Sequence, residues 1–379
     1  MKKISLVIGL GFGDEGKGAT VNSLCSIDPA HTLVIRFNGG HQVGHTVRYK
    51  EIHHAFSNFG SGSLQNVPTY WSEYCTVNPA AVIKEGLALL EKGIVPKVIY
   101  NANAMITTPF DIMENIRVDV GRGQNHGTVG VGFGATIQRN EDHYHLYVRD
   151  LMYPAIRDAK LQKILRYYNL NTPLNAISQG HYDTFIDSCD KFIERYTIVD
   201  NFRQVESFDK HLIFEGAQGI MLDKQYGFFP HVTRSFTTSR NAMEFIANND
   251  LSHKHIDTHY ITRAYQTRHG NGPMTNEGMD TKYIKKNPEE TNVDTGYQGY
   301  FRYAPLDLNM LKYAMSCDNF HNAESVKKLV ITCLDQVDEN EIPVTENGVL
   351  KTMNYSEIGR YLKNFNIIPV HSDKGFLLY

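Results

Sequence analysis

The sequence predicts an α/β fold with a mostly parallel central sheet flanked by helices, and three observations carry that expectation. Ile4–Leu10 and Thr32–Phe37 are short, β-branched apolar runs, the composition of strands buried on both faces. Between them lie a glycine loop, Gly11–Gly18, and a helix-like segment, Ala19–Cys25. Strand, loop, helix, strand is how a parallel sheet begins. The same passage from strand into glycine loop recurs at Leu212–Gly219.

The remaining elements extend this pattern. Thr32–Phe37 runs into the glycine-rich stretch Gly39–Thr46. Pro79–Lys92 has helical periodicity, and Val98–Tyr100 with Ala104–Ile106 form a further strand region. The glycines of Gly121–Gly134 are too regular for a generic linker. From 151 to about 210 the chain is charged, aromatic and helix-like, an α-rich excursion packed on the sheet. Val330–Leu334 is a late buried strand ending at Asp335. No repeat, low-complexity tract or Pro/Ser-rich linker divides the chain, so 1–379 is expected to form one intertwined domain.

Composition narrows the function classes. A net charge of −3 and a pI near 6.6 supply no basic field for polyanions, so no nucleic-acid partner is expected. The five cysteines are scattered without a C-x-x-C pair, which favours reduced thiols in a cytoplasmic protein over disulfides or zinc. The N-terminal apolar run is too short for a signal segment, and no stretch approaches the ~18 apolar residues of a membrane span. A soluble protein with no membrane partner is expected.

Three constellations carry chemistry. Gly11–Gly18 has the spacing G-x-x-x-x-G-K, in which glycines turn backbone N–H groups toward phosphate and Lys17 adds a positive charge. An ordinary loop of this type continues with Ser or Thr for Mg²⁺. Here Gly18 follows, so Asp14 is the obvious carboxylate for the metal. The second constellation is Arg36–Thr46, where His41 and His45 stand four apart. Three glycines among them argue against a helical metal pair. His45 instead suits a loop that delivers one imidazole, either to stabilise a transferring phosphoryl group or to act as a general acid. The third runs from Glu215 through Gln218 to Asp223 and on to Thr233, with amide, hydroxyl and backbone groups suited to a neutral heterocycle.

These segments, in this order, resemble the adenylosuccinate synthetase family. GFGDEGKG is similar to its QWGDEGKG signature, and RFNGGHQVGHTV to its R-x-x-GG-x-N-A-GHT loop. FEGAQGIMLD with PHVTRSFTT resembles EGAQG-x-x-LD with P-x-VT-x-x-x-TT. AYQTRHGNGPMTNE resembles YTTRVG-x-GPFPTE, CLDQVD resembles KLDVLD, and FSNFGSGSL resembles L-x-P-S-G-[IL].

The resemblance implies a fold related to P-loop NTPases, a homodimer, and a two-step ligation. GTP phosphorylates O6 of IMP in the presence of Mg²⁺, and the amino group of aspartate then displaces that phosphate. It assigns catalysis to Asp14, His45 and Gln218, with Asp14 taking the N1 proton, and metal binding to Asp14 and the Gly44 carbonyl. Gly13, Glu15, Gly16, Lys17 and Gly18, with Gly44, His45 and Thr46, fall to the donor phosphates. Asp335 falls to the guanine edge, the reason to expect GTP, with ATP as the alternative donor. The acceptor nucleotide is expected at Gln42, Thr128, Val129, Gln218, Thr233 and His269, with Arg139 as the candidate for an arginine donated by the partner subunit. Thr295, Gly296 and Arg302 fall to the amino acid.

Departures from the family pattern open a second reading. Gln42 stands for Asn, Val129 for a phosphate-contacting Thr, and the TTGRRRR loop retains one arginine, Arg302. Dicarboxylate recognition therefore rests on fewer cations, and loss of a 2′-hydroxyl contact would tolerate a deoxynucleotide. The alternative is the same chemistry on dGMP, giving a 2-aminoadenylosuccinate-type product as in related phage enzymes. Retention of Asp14, which those enzymes often replace with a small hydroxyl residue, favours IMP. A catalytically dead nucleotide-binding paralogue is disfavoured because Asp14 and His45 are both present.

Overall fold

The structure is a computed structural model, and it describes residues 3–121, 130–168, 179–207, 209–285, 299–362 and 366–371. Nine strands form the central sheet: β1 (Lys3–Gly9), β2 (Thr32–Arg36), β3 (Thr69–Trp71), β4 (Val98–Asn101), β5 (Thr197–Val199), β6 (His211–Gly219), β7 (His255–Arg263), β8 (Val326–Thr332) and β9 (Asn366–Pro369). Their order is β9-β8-β7-β1-β6-β2-β3-β4-β5, and every neighbouring pair is parallel. The expectation of a mostly parallel sheet flanked by helices therefore holds.

The residue pattern explains the layering. Along β1, Ile4, Leu6 and Ile8 point to one face, where they join Phe214 and Leu329 in the largest core. Val7 points to the other face, against Val21 and Leu24 of helix α1 (Lys17–Ile27). The period-2 alternation and burial on both faces are what a central parallel strand requires. Helix α1 begins two residues earlier than its sequence suggests, because Gly16 caps it with a φ of 91° that a side chain rarely adopts. β8 begins four residues before the apolar run, since Val326 is exposed and Lys327 and Lys328 are only partly buried at the sheet rim.

The excursion after residue 150 contains helices α4 (Pro154–Tyr167) and α5 (Gln179–Arg195), and the chain then rejoins the sheet at edge strand β5. Before it come α2 (Pro109–Gly121) and α3 (Phe133–Glu141). An antiparallel hairpin, Tyr265–His269 with Phe301–Asp307, belongs to a second sheet beside the first. No helix among the described residues is long and apolar enough to cross a membrane.

Candidate active site

A cavity of about 1500 Å³ opens at the carboxyl ends of β1, β2, β6, β7 and β8. Ligands in open α/β sheets bind at this end because the loops leaving the strands converge there. The Phe12–Gly18 loop forms its floor, joined by Gln42, Gly44, His45, Thr46, Gln218 and Thr233.

Close packing shapes that loop. A Cβ on Gly9 would fall 1.9 Å from Glu15 Oε2, and one on Gly18 would fall 2.8 Å from His45 Cβ and 3.0 Å from Ser61 Oγ. Gly18 thus replaces the usual Ser or Thr because α1 lies directly against His45. Inside the loop, Glu15 and Lys17 are buried and their charges meet at 3.4 Å. Glu15 Oε1 also accepts the Gly11 N–H. Burial lifts the Glu15 carboxyl to about 7, against the opposing pull of Lys17. Asp14 sits in the left-handed region, φ 57°, and its carbonyl accepts a 2.5 Å hydrogen bond from Arg263 Nε. Its carboxylate lies 3.4 Å from His269 Nε2.

His45 is half of a buried dyad. Its Nδ1 lies 2.6 Å from Glu215 Oε1, and Glu215 also accepts the Ser61 N–H at 3.0 Å and the Ser61 hydroxyl. Burial alone would raise the Glu215 carboxyl. His45, Arg36 and Ser61 outweigh it and hold that carboxyl down at about 2. Burial lowers the His45 pKa despite Glu215. The pair therefore rests as carboxylate and neutral imidazole. An ionised carboxylate only accepts, so the ring proton sits on Nδ1, and Nε2 is left at the cavity without a partner.

His41 and His45 do not converge on a metal. His41 turns toward Asn78, Nε2 to Nδ2 3.5 Å, while His45 is committed to Glu215. Oxygen donors do line the cavity, among them the Asp14 carboxylate and the backbone of Gly44. Such a set suits Mg²⁺, which completes its shell with water and phosphate oxygens.

Gln218 holds a left-handed backbone, φ 63°, with its side-chain oxygen over Gly13. The Gln42 carboxamide is shielded from solvent, with neither atom partnered among the described residues. Cys333 and Gln336 line the cavity and flank Asp335, which is itself half-buried and outside the lining. Thr128, Val129, Thr295 and Gly296 lie outside the described residues.

Arg139 requires a correction. It is fully buried on α3, and its guanidinium grips Asp111 at 2.8 and 3.1 Å and donates to the carbonyls of Ile106 and Tyr144. With every nitrogen so engaged it cannot reach a nucleotide. Arg302 donates to Glu277 and to the Gly272 carbonyl, each at 2.5 Å, and stands opposite Arg268 across the hairpin. Arg268, rather than Arg302, lines the cavity.

Sequence reasoning gave Glu215, Ser61, Arg263 and Arg268 no role. Glu215 lies 170 residues from His45, and only the pairing of β6 with β2 brings the two together.

A family profile described as adenylosuccinate synthetase matches residues 6–363. The adenylosuccinate synthetase of Marinomonas sp. (strain MWYL1) is 28% identical over 364 residues, covering 91% of this chain and 82% of that protein. Among solved structures, fully ligated adenylosuccinate synthetase from Plasmodium falciparum is similar with a TM-score of 0.69 at 21% identity, over 94% of this chain and 85% of that one. Cyanophage S-2L succinoaminodeoxyadenylate synthetase, bound to dGMP and to dATP as an energy donor, has a TM-score of 0.57 at 13% identity. It spans 96% of this chain and 98% of that one. At such identities both structures speak to the fold.

Proposed function

Because the chain belongs to the adenylosuccinate synthetase family, ligases that form a C–N bond, we propose that it joins aspartate to C6 of IMP at the expense of GTP, through a 6-phosphoryl intermediate. The observation that carries this reading is the convergence of Asp14, Lys17 and the His45–Glu215 dyad on one cavity.

Each group has a distinct task. Asp14 accepts the N1 proton, so that electron density moves to O6 and makes it nucleophilic toward the γ-phosphorus. The loop N–H groups and Lys17 hold the phosphates. Lys17 is released from Glu15 as they arrive, since a phosphate is the stronger anion. His45, its ring fixed by Glu215, presents Nε2 to the transferring group and donates there once the arriving phosphates have drawn a proton onto that nitrogen. Gln218 orients the purine. Mg²⁺, held by Asp14 and Gly44, would offset the charge on the phosphates.

Phosphorylation matters because a 6-oxo group is a poor leaving group and phosphate is a good one. The aspartate amine then attacks C6, the C6–O bond breaks, and inorganic phosphate leaves.

The same chemistry on dGMP is the second reading, motivated by the altered loop around Arg302, whose guanidinium is occupied by Glu277 and Gly272. The test is phosphate release by purified protein with Mg²⁺, aspartate and GTP, comparing IMP, dIMP, GMP and dGMP, with ATP in parallel. Release requiring both IMP and aspartate supports the proposal. Release with dGMP alone moves the chain to the second reading, and release independent of any purine overturns both.

A further inference from the structure

We propose that His269 is a positioning residue for Asp14, holding one carboxylate oxygen so that the other faces the acceptor purine. This rests on the reading of Asp14 as the proton acceptor.

Asp14 is anchored through its backbone, where Arg263 takes the carbonyl, but its side chain is a short rotor on a loop. Among the described residues, the one side-chain contact of its carboxylate is His269 Nε2, 3.4 Å from Oδ2. A base that rotates away from its proton loses the alignment on which transfer depends, and a displacement of about 1 Å can cost on the order of 100-fold in rate. Something must hold this carboxylate, and His269 is placed to do it.

The imidazole is itself well fixed. His269 ends the strand Tyr265–His269 in register with Phe301, and the two rings lie 4.6 Å apart at 42°. The side chain is 13% exposed and lines the cavity. Its Nδ1 is buried without a partner among the described residues. The Nε2 edge of the ring thus faces the Asp14 carboxylate, while Nδ1 points away from it. A separation of 3.4 Å is long for a hydrogen bond, and such contacts in ligand-free sites tighten when substrate closes the cavity.

The family run that AYQTRHGNGP resembles reads YTTRVG-x-GP, with valine in the place of His269. Valine donates no hydrogen bond.

The test compares His269→Val and His269→Gln with the unaltered protein in full kinetics against the acceptor nucleotide. We expect His269→Val to lower kcat at least 20-fold while KM for the acceptor stays within about three-fold. His269→Gln, which restores an N–H donor at similar reach, should recover kcat to within about five-fold. Equal losses in both variants, an unchanged kcat in His269→Val, or a loss confined to KM would each overturn the proposal. A second measurement does not depend on turnover. In ¹⁵N-labelled protein, the Nε2 resonance of His269, assigned by its absence from His269→Gln, should shift on Asp14→Asn. An unmoved resonance overturns the contact itself. A protein that releases no phosphate with any purine nucleotide, yet shows that shift, would sink the reading of the reaction and spare the geometry.

Discussion

Glu215 faces one neutral and one positive partner, and that sets the effect of changing it. One is His45, whose ring it orients; the other is Arg36, fully buried, with no hydrogen-bond partner on its guanidinium among the described residues and the Trp71 ring 5.0 Å away. Glu215→Gln therefore removes the fixed anion behind His45 and leaves Arg36 uncompensated. We expect kcat to fall by about 100-fold, within the range for removing support from an acid–base group. Stability should fall by about 3 kcal/mol for an orphaned buried charge. Ser61→Ala removes hydrogen bonding to the same carboxylate without touching charge, and should cost about 1 kcal/mol. Chemical denaturation alongside kcat separates the two effects; a Glu215→Gln protein of normal stability would show that Arg36 has another counter-ion.

At the scale of elements, the Asp111–Arg139 pair fastens α3 to α2. Asp111 also accepts from Thr108 and from the Tyr168 hydroxyl at the end of α4, so three helices meet on one buried carboxylate. Arg139→Met should cost about 3–5 kcal/mol, the scale for breaking a buried pair from one side, and leave KM for the acceptor unchanged. A raised KM at normal stability would restore the arginine to the nucleotide. This pair shows where the sequence was legible and where it was not. Asp14, Lys17 and Gly18 could be read because phosphate loops are local: strand, turn and helix follow within a dozen residues. Val330–Leu334 and Ile4–Leu10 could be read because burial on both faces leaves an unbroken apolar run. Arg139 carried no such signal. An arginine on a helix looks the same whether it faces a phosphate or Asp111, and the difference lies in a contact 28 residues away. Glu215 and Ser61 were hidden for the same reason, since they meet across 154 residues of chain; His269 was legible as a site residue, but its contact with Asp14 was not.

At the scale of the molecule, the two ends of the central strands differ in chemistry. The carboxyl ends hold the cavity, while the amino ends carry a buried cluster that ties folding to pH. There His211 Nε2 meets Ser5 Oγ at 2.9 Å, His259 is 2% exposed, and Lys3 and Lys328 each bind Asp257 at 2.8 Å, with His255 also on that carboxylate. Burial, reinforced by Lys3, lowers His211 to about 4. Burial, reinforced by Lys328, lowers His259 to about 3. In the unfolded chain both return to about 6.5. Between that value and their folded values the unfolded state binds more protons, so stability is full above about pH 6.5 and declines as pH falls. For His211 the loss reaches about 3 kcal/mol by pH 4. Asp257 is held low by its lysines, despite burial, so its contribution fails only at still lower pH. Urea midpoints measured from pH 7.5 down to 4.5 should therefore fall steadily, and His259→Leu, which removes one titrating group from a buried setting, should flatten that slope. A slope identical in the variant would mean that His259 is protonated in the folded protein and that the acid sensitivity arises elsewhere.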